Sequence, residues 1–265
     1  MELSKRLLMV ASMVEPGSIV ADVGCDHGYV SIYLVRQGIC PRVLAMDVNA
    51  GPLERVKAHV QEAGLAAYID IRRSDGLSAM KLADGKPEAD TLLMAGLGGR
   101  LAARILKDGR QMLSQMRCMI LQPQSELWLV REAVRQIGYF ICDENMLKED
   151  GKFYTVIRAE NGIKRTGSPD VPEEFDGSRE EWGLAADRYG PCLIGTGHPV
   201  LREYLEEALD KNRCILRDIR KEGTAEKSAS RAQKLEEECA LMEKILRMNE
   251  DGKERRRYGT GNCEW

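Results

Sequence analysis

The order of apolar and amphipathic segments constrains this chain more than any other feature of its sequence. From residue 19 to about residue 160, short apolar runs alternate with longer segments whose apolar residues recur at helical spacing. Strands that alternate with helices predict a parallel sheet with right-handed crossovers, which is the Rossmann-like α/β class. The runs that we interpret as its strands are residues 19–23, 42–47, 69–73, 91–95 and 118–122.

Two further apolar runs, 139–147 and 153–159, close this region on either side of Asp150-Gly151. An Asp-Gly pair between two such runs favours a tight turn, so we interpret them as an antiparallel hairpin. The sequence therefore predicts a seven-stranded sheet with a reversed strand at its edge.

The character of the sequence changes near residue 162. Glycine, proline, serine and acidic residues dominate 161–179 without a clear period, which is typical of a linker. We therefore divide the chain into a Rossmann-like domain, residues 1–162, and a linker with a helical domain, residues 163–265.

The second region is predicted to end in two long helices. A helix at 179–189 and a loop at 190–199 precede them, and Glu222-Gly223-Thr224 separates them. A short break between two amphipathic helices favours an antiparallel hairpin, here with a coiled-coil seam. The predicted seam residues are Leu201, Leu205, Ala208, Asn212, Ile215 and Ile219 in the first helix, and Ala232, Leu235, Cys239, Met242 and Leu246 in the second.

Composition restricts the class of protein further. No apolar run approaches the ~20 residues that span a bilayer, and the N-terminus lacks a signal-peptide pattern, so we expect a cytoplasmic protein. The 8 cysteines include no CxxC pair, so they are interpreted as reduced thiols, and no metal site is predicted. A net charge of −3 excludes a strongly basic nucleic-acid-binding protein but leaves room for a local positive patch.

The loop after the first predicted strand reads Asp22-Val23-Gly24-Cys25-Asp26-His27-Gly28. A dinucleotide site would use G-x-G-x-x-G so that the pyrophosphate meets only backbone N–H groups, but Asp26 occupies the position of the middle glycine. A carboxylate 4 Å from a phosphate charge is unfavourable by ~4 kcal/mol at an intermediate dielectric constant. The same carboxylate favours a cationic ligand, and S-adenosylmethionine carries an ammonium and a sulfonium and no phosphate. The loop therefore predicts a methyl-donor site.

Acidic residues at two other strand ends support this interpretation. Asp47, followed by Val48, ends the second strand at the position where a carboxylate accepts ribose hydroxyls. Asp75-Gly76 follows the third strand and is assigned to the adenine amino group. Any one of these residues alone is often a turn former or a helix cap, so the prediction rests on the three acids together.

The substrate side is predicted to lie after the fourth and fifth strands. The fourth strand is followed by Gly96-Leu97-Gly98-Gly99 after Ala95, where enzymes that methylate exocyclic amino groups often carry N/D-P-P-Y/F. The fifth ends in Gln122-Pro123-Gln124, which brings two amides near the same cleft. Glutamine side chains read base edges, although two amides that only stabilise a loop are equally compatible with the sequence.

These motifs, together with Glu144 and Gly151-Lys152-Phe153-Tyr154, are similar to those of the TrmK family. Its members are bacterial tRNA methyltransferases that modify N1 of adenine 22. The resemblance runs in order through residues 1–160, and the C-terminal helical hairpin also matches the family. The family often has Asn at the position of Gln124 and Glu at the position of Asp47.

The resemblance implies S-adenosylmethionine as cofactor, tRNA as partner and direct displacement at the methyl group by adenine N1, on a base that is unpaired or flipped out. Tyr29 is the expected stacking residue, and Asp26 and His27 are the expected polar contacts; a purely structural role of His27 is equally open. The predicted catalytic residues are Asp26, His27, Tyr29, Gln122 and Gln124. The predicted cofactor residues are Asp22, Gly24, Cys25, Asp26, His27, Gly28, Asp47, Val48, Asp75, Gly76, Ala95 and Gly96.

Three alternatives remain open from the sequence. The donor site alone also fits a methyltransferase that acts on a small molecule or a protein. A non-catalytic protein that binds the methyl donor is the second alternative. The third concerns the helical hairpin, which either holds tRNA through Arg213, Arg217, Arg220, Lys221, Lys253 and Arg255–Arg257 or forms a dimer interface.

Overall fold

The computed structural model describes residues 2–162, 171–222 and 226–258. The chain divides into two compact units, Met1–Gly167 and Ser168–Trp265, whereas the sequence places the boundary at residue 162. The elements of the first unit are α1 (Lys5–Ser12), β1 (Ile19–Val23), α2 (Tyr29–Arg36), β2 (Arg42–Asp47), α3 (Ala50–Glu62), β3 (Ile69–Arg73), β4 (Leu82–Ala83), β5 (Lys86–Pro87), β6 (Thr91–Ala95), α4 (Gly99–Asp108), α5 (Arg110–Leu113), β7 (Cys118–Gln122), α6 (Leu127–Gln136), β8 (Tyr139–Glu149) and β9 (Lys152–Asn161). Those of the second are α7 (Arg179–Tyr189), α8 (Pro191–Thr196), α9 (Pro199–Glu222) and α10 (Glu226–Tyr258).

Within the described residues, seven strands form one sheet in the order β3-β2-β1-β6-β7-β9-β8, which confirms the predicted Rossmann-like fold. The reversed strand was expected at the edge of the sheet, and that expectation is wrong. β9 is antiparallel to both of its neighbours, β7 and β8, so it lies one place inside the edge. β9 contributes buried Val156, Ile157 and Ala159, whereas β8 alternates buried residues with exposed ones and carries several acids. The more apolar strand takes the inner position, and the charged strand occupies the edge, where charge discourages pairing with other chains.

Helices cover both faces of the sheet. One apolar cluster joins Ala21 and Leu92 of the strands to Ile105 of α4 and Val134 of α6. A second cluster on the other face takes in α1, α2 and α3, with Val10, Leu34 and Val56 among its members. The five parallel strands have the predicted bounds; β1, β2, β6 and β7 are mostly buried, whereas β3, at the edge of the sheet, buries only Ile69. Their carboxyl ends meet at one edge of the sheet, which is where open α/β sheets bind ligands.

The second unit contains a helix that the sequence did not indicate. Residues 190–199 were predicted as a loop, but Pro191–Thr196 forms α8, with proline in its first turn and Gly197 in the left-handed conformation at its end. Leu193 and Ile194 are buried, so packing inside this unit stabilises a segment that is too short to show a helical period.

α9 and α10 pack against each other in antiparallel orientation. Arg213 pairs with Glu243 and Arg220 with Glu236, so the partner number falls as the residue number rises. The predicted seam residues Leu201, Leu205, Cys239 and Met242 are buried. Leu209, Leu216, Leu241 and Ile245 are buried too, so the contact is wider than the predicted seam. The coiled-coil assignment stays a prediction, and the predicted break at Gly223-Thr224 lies outside the described residues.

Candidate functional site

A cavity of about 640 Å³ opens at the carboxyl ends of β1, β2 and β6. The predicted site residues that line it are Asp22, Gly24, Cys25, Asp26, His27, Tyr29, Asp47, Ala95, Gly96 and Gln124. Glu2, Leu3, Ser4, Arg6, Leu7, Val30, Asn49, Pro52 and Leu97 complete the wall. The structure therefore brings together the loop after β1, the acid that ends β2 and the start of the loop after β6.

The loop after β1 depends on a glycine at its first turn. Gly24 has a φ of 77°, and a Cβ atom on it would lie 2.8 Å from the Leu97 side chain. The backbone N–H groups of Gly24 and Cys25 both donate to the Met46 carbonyl oxygen, at 2.8 and 3.1 Å. Asp26 follows with a φ of 48°, a conformation that Asp and Asn tolerate better than most residues. The loop therefore passes tightly over β2 and leads into α2, which begins at Tyr29.

Asp22 is buried in the cavity wall and accepts a hydrogen bond of 2.5 Å from the Ser31 hydroxyl. Burial raises the pKa of Asp22 to about 6; the Ser31 hydrogen bond lowers it, and the charge of Asp47 raises it further. Burial therefore disfavours the ionised carboxylate, and a cation in the cavity would stabilise that ionised form.

Asp47 also faces the cavity, at the end of β2. Its Oδ1 accepts the backbone N–H of Asn49 at 2.9 Å, which fixes the orientation of the carboxylate at the turn into α3. Val48, the next residue, is 49% exposed and does not line the cavity, although its carbonyl oxygen accepts a hydrogen bond from Arg73.

Asp75 and Gly76 lie beyond the cavity wall. The Asp75 carboxylate is 63% exposed and pairs with Arg104 of α4 at 3.1 Å. Gly76 packs against Ile105, and a Cβ atom on it would lie 3.1 Å from that side chain. Gly28, the remaining predicted residue of the loop after β1, also packs behind the cavity wall, where a Cβ atom on it would lie 2.9 Å from the Val56 side chain.

Three stacked rings, those of His27, Tyr29 and His59, lie at the loop after β1. The Tyr29 ring stacks with His27 and His59 at centroid distances of 5.2 and 5.3 Å, and His59 Nδ1 donates to the His27 carbonyl oxygen at 2.9 Å. His27 Nε2 lies 3.7 Å from Asp26 Oδ1, while His27 Nδ1 is buried without a hydrogen-bond partner in the described chain. His59 was missed by the sequence analysis because nothing marks it out within its amphipathic helix.

The two glutamines after β7 have different surroundings. Gln124 lines the cavity, and its backbone N–H donates to the Leu97 carbonyl oxygen at 2.9 Å. Gln122 is 1% exposed and lies behind the wall, where its Oε1 accepts a 2.6 Å hydrogen bond from Arg6. Gln124 is therefore the amide placed to contact a ligand, and Gln122 supports Arg6. The helix that carries Arg6, α1, is anchored by Glu149, whose carboxylate oxygens accept the N–H groups of residues 5 and 6 at 2.9 and 3.3 Å.

The loops after β6 and β7 touch through Gly99. A Cβ atom on Gly99 would overlap the Ser125 carbonyl oxygen and lie 2.7 Å from the Glu126 carbonyl oxygen. Because both obstacles are backbone atoms, only glycine fits here. This contact fixes the position of the loop that carries Ala95 and Gly96.

Across residues 2–162, 171–222 and 226–258, no helix is both long and apolar enough to cross a membrane. The same residues contain no cluster of three or more His, Cys, Asp or Glu side chains arranged to hold a metal ion.

The chain is similar to known methyltransferases in sequence and in fold. A family model described as "Methyltransferase domain" matches residues 3–157. The tRNA (adenine(22)-N(1))-methyltransferase of Bacillus subtilis (strain 168) is 31% identical over 246 residues, which cover 93% of this chain and 98% of that protein. The crystal structure of the B. subtilis m1A22 tRNA methyltransferase TrmK has a TM-score of 0.77 at 31% identity, covering 92% of this chain and 99% of that one.

A second solved structure has a bound ligand. It is that of a candidate tRNA (m1A22) methyltransferase from Streptococcus pneumoniae in complex with S-adenosyl-L-methionine. Its TM-score is 0.74 at 29% identity, and the match covers 92% of this chain and 100% of that one.

Proposed function

Because this chain belongs to the methyltransferase family of the Bacillus subtilis tRNA (adenine(22)-N(1))-methyltransferase, we propose that it transfers a methyl group from S-adenosylmethionine to N1 of adenine 22 in tRNA. The observation that carries the proposal is the cavity in which Asp22, Asp47 and the loop after β1 converge. We expect the enzyme in the cytoplasm, where its substrate tRNA is found.

The chemistry of the cavity wall suits this donor. Asp22 is a carboxylate whose pKa is raised mainly by burial and further by the charge of Asp47, and Asp26 lies on the same cavity wall. A ligand with an ammonium and a sulfonium would offset that charge, whereas a pyrophosphate would add to it. Asp47, held by Asn49, is placed to accept ribose hydroxyls, and Asp75 stays a predicted partner of the adenine end.

S-adenosylmethionine supplies a methyl group activated by its sulfonium. Adenine N1 carries an in-plane lone pair and no proton, so the chain need not supply a general base. Its task is to align the base with the methyl group, and alignment of this kind contributes ~7–11 kcal/mol in favourable cases. Asp26, with its negative charge beside the cavity, is placed to stabilise the positive charge that develops on the adenine ring.

The base side of the site is assigned to Tyr29, His27 and Gln124. Tyr29 lines the cavity within a stack of flat rings, which suits an adenine that has left its own stack. Gln124 contributes an amide that can donate to or accept from a base edge.

We also propose that the α9–α10 hairpin contacts tRNA rather than a second copy of the chain. Arg213 and Arg220 already have carboxylate partners, but these pairs are exposed, and exposed pairs are worth only ~0–1 kcal/mol. Phosphate groups can therefore replace the carboxylates at little cost. Arg217, which donates to the Cys214 sulfur, is a third candidate contact. The side chains of Lys221, Lys253 and Arg255–Arg257 lie outside the described part of the structure.

The main experiment is mass spectrometry of tRNA nucleosides after incubation with the enzyme and labelled donor. We expect 1-methyladenosine in a tRNA with adenine at position 22 and no product in the matched tRNA with guanine there. Formation of N6-methyladenosine alone would contradict the proposed chemistry. Methylation of metabolites or proteins but not tRNA would favour the first alternative, and donor binding without turnover on any substrate would favour a binding protein.

The proposal for the hairpin is tested by truncation after residue 167. The remaining unit should bind the donor as the full chain does but lose most of its tRNA affinity, and the affinity of the full chain should fall steeply with salt. A truncated protein that keeps its tRNA affinity and merely changes from dimer to monomer would contradict the proposal.

A further inference from the structure

A histidine of α3 lies behind the side of the cavity that is assigned to the base. His59 is not among the described residues that line the cavity, but its ring stacks with two residues that do, His27 and Tyr29. A side chain that contacts the neighbours of a reacting base, and not the base itself, influences the reaction by fixing where those neighbours lie.

The face of α3 that carries His59 packs along the turn between β1 and α2. Arg55 lies 3.4 Å from the Asp26 carboxylate, and the Val56 side chain fills the space that a Cβ atom on Gly28 would need. Residues 56 and 59 are neighbours on the surface of a helix, so His59 reaches the residue between those two. The conformation of the turn therefore depends on α3 as well as on its own glycines.

The His27 carbonyl group receives its hydrogen bond from His59. α2 begins at Tyr29, and the carbonyl oxygen of Gly28 accepts from Ile32 at 2.9 Å as the helix starts. The His27 carbonyl lies outside that pattern and needs another donor, and His59 Nδ1 lies 2.9 Å from it. Because a carbonyl oxygen only accepts, Nδ1 must carry the hydrogen, which fixes the tautomer of a neutral His59.

The same imidazole lies against the Tyr29 ring. The two ring centroids are 5.3 Å apart with 19° between the planes, and the His27 ring lies 5.2 Å from Tyr29 at 10°. The hydrogen bond at Nδ1 prevents the imidazole from turning, so Tyr29 packs against a flat surface of fixed orientation. A stacking face that is in place before the base arrives reduces the entropy lost on binding.

We propose that His59 is a positioning residue for methyl transfer, an inference that rests on the proposed function. Its ring holds Tyr29 in the orientation that receives the flipped adenine, and its Nδ1–H ties that ring to the loop after β1. A displacement of ~1 Å from the reactive geometry costs up to about 100-fold in rate. Loss of the His59 ring should therefore slow the transfer step and leave donor binding nearly unchanged.

The test separates the two contacts of His59 by three substitutions. His59→Ala removes both contacts, His59→Phe keeps a ring without the donor, and His59→Asn keeps an N–H donor near the position of Nδ1 without the ring. The constants kcat and KM for tRNA are measured with saturating donor, and donor affinity is measured by calorimetry.

We expect His59→Ala to lower kcat by about 10- to 100-fold and to change KM for tRNA and donor affinity by less than about threefold. His59→Phe should recover most of the lost kcat, and His59→Asn should recover little of it. Gln61→Ala is the matched control, because Gln61 is an exposed residue of the same helix. Its kinetic constants and donor affinity should equal those of the unchanged chain.

Other outcomes would overturn the assignment. Recovery by His59→Asn that equals or exceeds recovery by His59→Phe would show that His59 only ties down the loop after β1. A loss of donor affinity in parallel with kcat would show that the whole cavity depends on His59, and an unchanged kcat in all three variants would remove His59 from the reaction. If His59→Ala does not fold, the other two variants decide between the same outcomes.

Failure of the proposed function gives a different result. An unchanged chain that methylates no tRNA would overturn the proposed function and the role of His59 with it. An active unchanged chain whose His59 variants are equally active would overturn the role of His59 alone.

Discussion

Two ion pairs, one from each unit of this protein, differ sharply in how far they are exposed to solvent. In the first unit, Arg131 and Glu144 form an ion pair at 2.8 Å with side-chain exposures of only 1% and 0%. In the second unit, Arg213 and Glu243 form a pair at 2.9 Å, but their side chains are 55% and 40% exposed. A buried pair is part of the fold, since either partner is costly without the other, whereas an exposed pair is readily exchanged for another partner. The buried pair therefore helps to fix the geometry of the first unit, whereas the exposed pair of the second unit leaves both charges available to other partners.

Loss of the buried Arg131–Glu144 pair is expected to have the largest effect on the free energy of unfolding. Glu144→Ala leaves the Arg131 guanidinium in the interior without this carboxylate, and the free energy of unfolding should fall by about 3–5 kcal/mol, as for other broken buried pairs. Denaturant unfolding of the purified variant measures this, with Glu144→Gln as the control that keeps a hydrogen-bond acceptor. A loss below about 1 kcal/mol would place this pair in the same class as the surface pairs.

Substitution at the contact between the loops after β6 and β7 should lower the stability of the protein nearly as much. Gly99→Ala forces a methyl group against the backbone of Ser125 and Glu126, and overpacking of this kind costs about 1–3 kcal/mol or more. The adjacent Gly98→Ala is the matched control, because its Cβ atom would lie 3.6 Å from the Ser125 hydroxyl oxygen, an ordinary contact. In thermal unfolding, the melting temperature of Gly99→Ala should lie well below that of Gly98→Ala. Equal melting temperatures would mean that the two loops move apart freely.

Donor binding should depend on pH through Asp22. Its pKa is raised from 3.8 to about 6 in the folded protein, so a cationic ligand must compete with a proton as the pH falls through 6. We expect donor affinity to drop by up to about tenfold between pH 7 and pH 5, which corresponds to ~1.4 kcal/mol. In Asp22→Asn the affinity at pH 7 should be lower and this part of the pH dependence should vanish. A pH profile that the substitution leaves unchanged would assign the titration to another group.

The smallest effect on stability is expected from breaking an exposed ion pair of the second unit. Glu243→Ala removes the nearer carboxylate of Arg213 and leaves Asp210 at 4.0 Å; since the pair is exposed, the free energy of unfolding should change by less than ~1 kcal/mol. The same substitution frees Arg213 for phosphate and should strengthen tRNA binding slightly at low salt. Filter binding over a range of salt concentrations measures this. A large decrease in the free energy of unfolding would mean that the charges of the α9–α10 hairpin stabilise the fold, as the Arg131–Glu144 pair does in the first unit.

The sequence predicted those features that depend on local pattern. The five parallel strands have the predicted bounds because each is a short run that contains apolar residues and lies between helical or turn segments, and the predicted resemblance to the TrmK family is confirmed. The inner position of β9 was missed because both strands of the hairpin have strand-like patterns, and only pairing with β7 decides which lies inside. α8 was missed because it is stabilised by packing rather than by its own period.

Within the site, the motifs identified the residues of the loop after β1 and Asp47, all of which depend on strand-end geometry. Arg6 was not identified, because its partner Gln122 lies 116 positions further along the chain, and nothing in the local sequence of α1 indicates that Arg6 lines the cavity. Asp75 was expected at the cavity and instead pairs with Arg104; whether it reaches the adenine end stays a prediction.

The anchoring of α1 by Glu149 has a consequence for biosynthesis. The helix precedes every other element of the first unit along the chain, yet the carboxylate that accepts its N–H groups follows 144 positions after Lys5. Such a contact is slow to form because a long loop must close first. The N-terminal N–H groups of α1 lack this carboxylate until the β8–β9 hairpin has been translated. The nascent chain should therefore acquire donor binding late and in a single step, after residue 161 has emerged, rather than gradually as the strands accumulate.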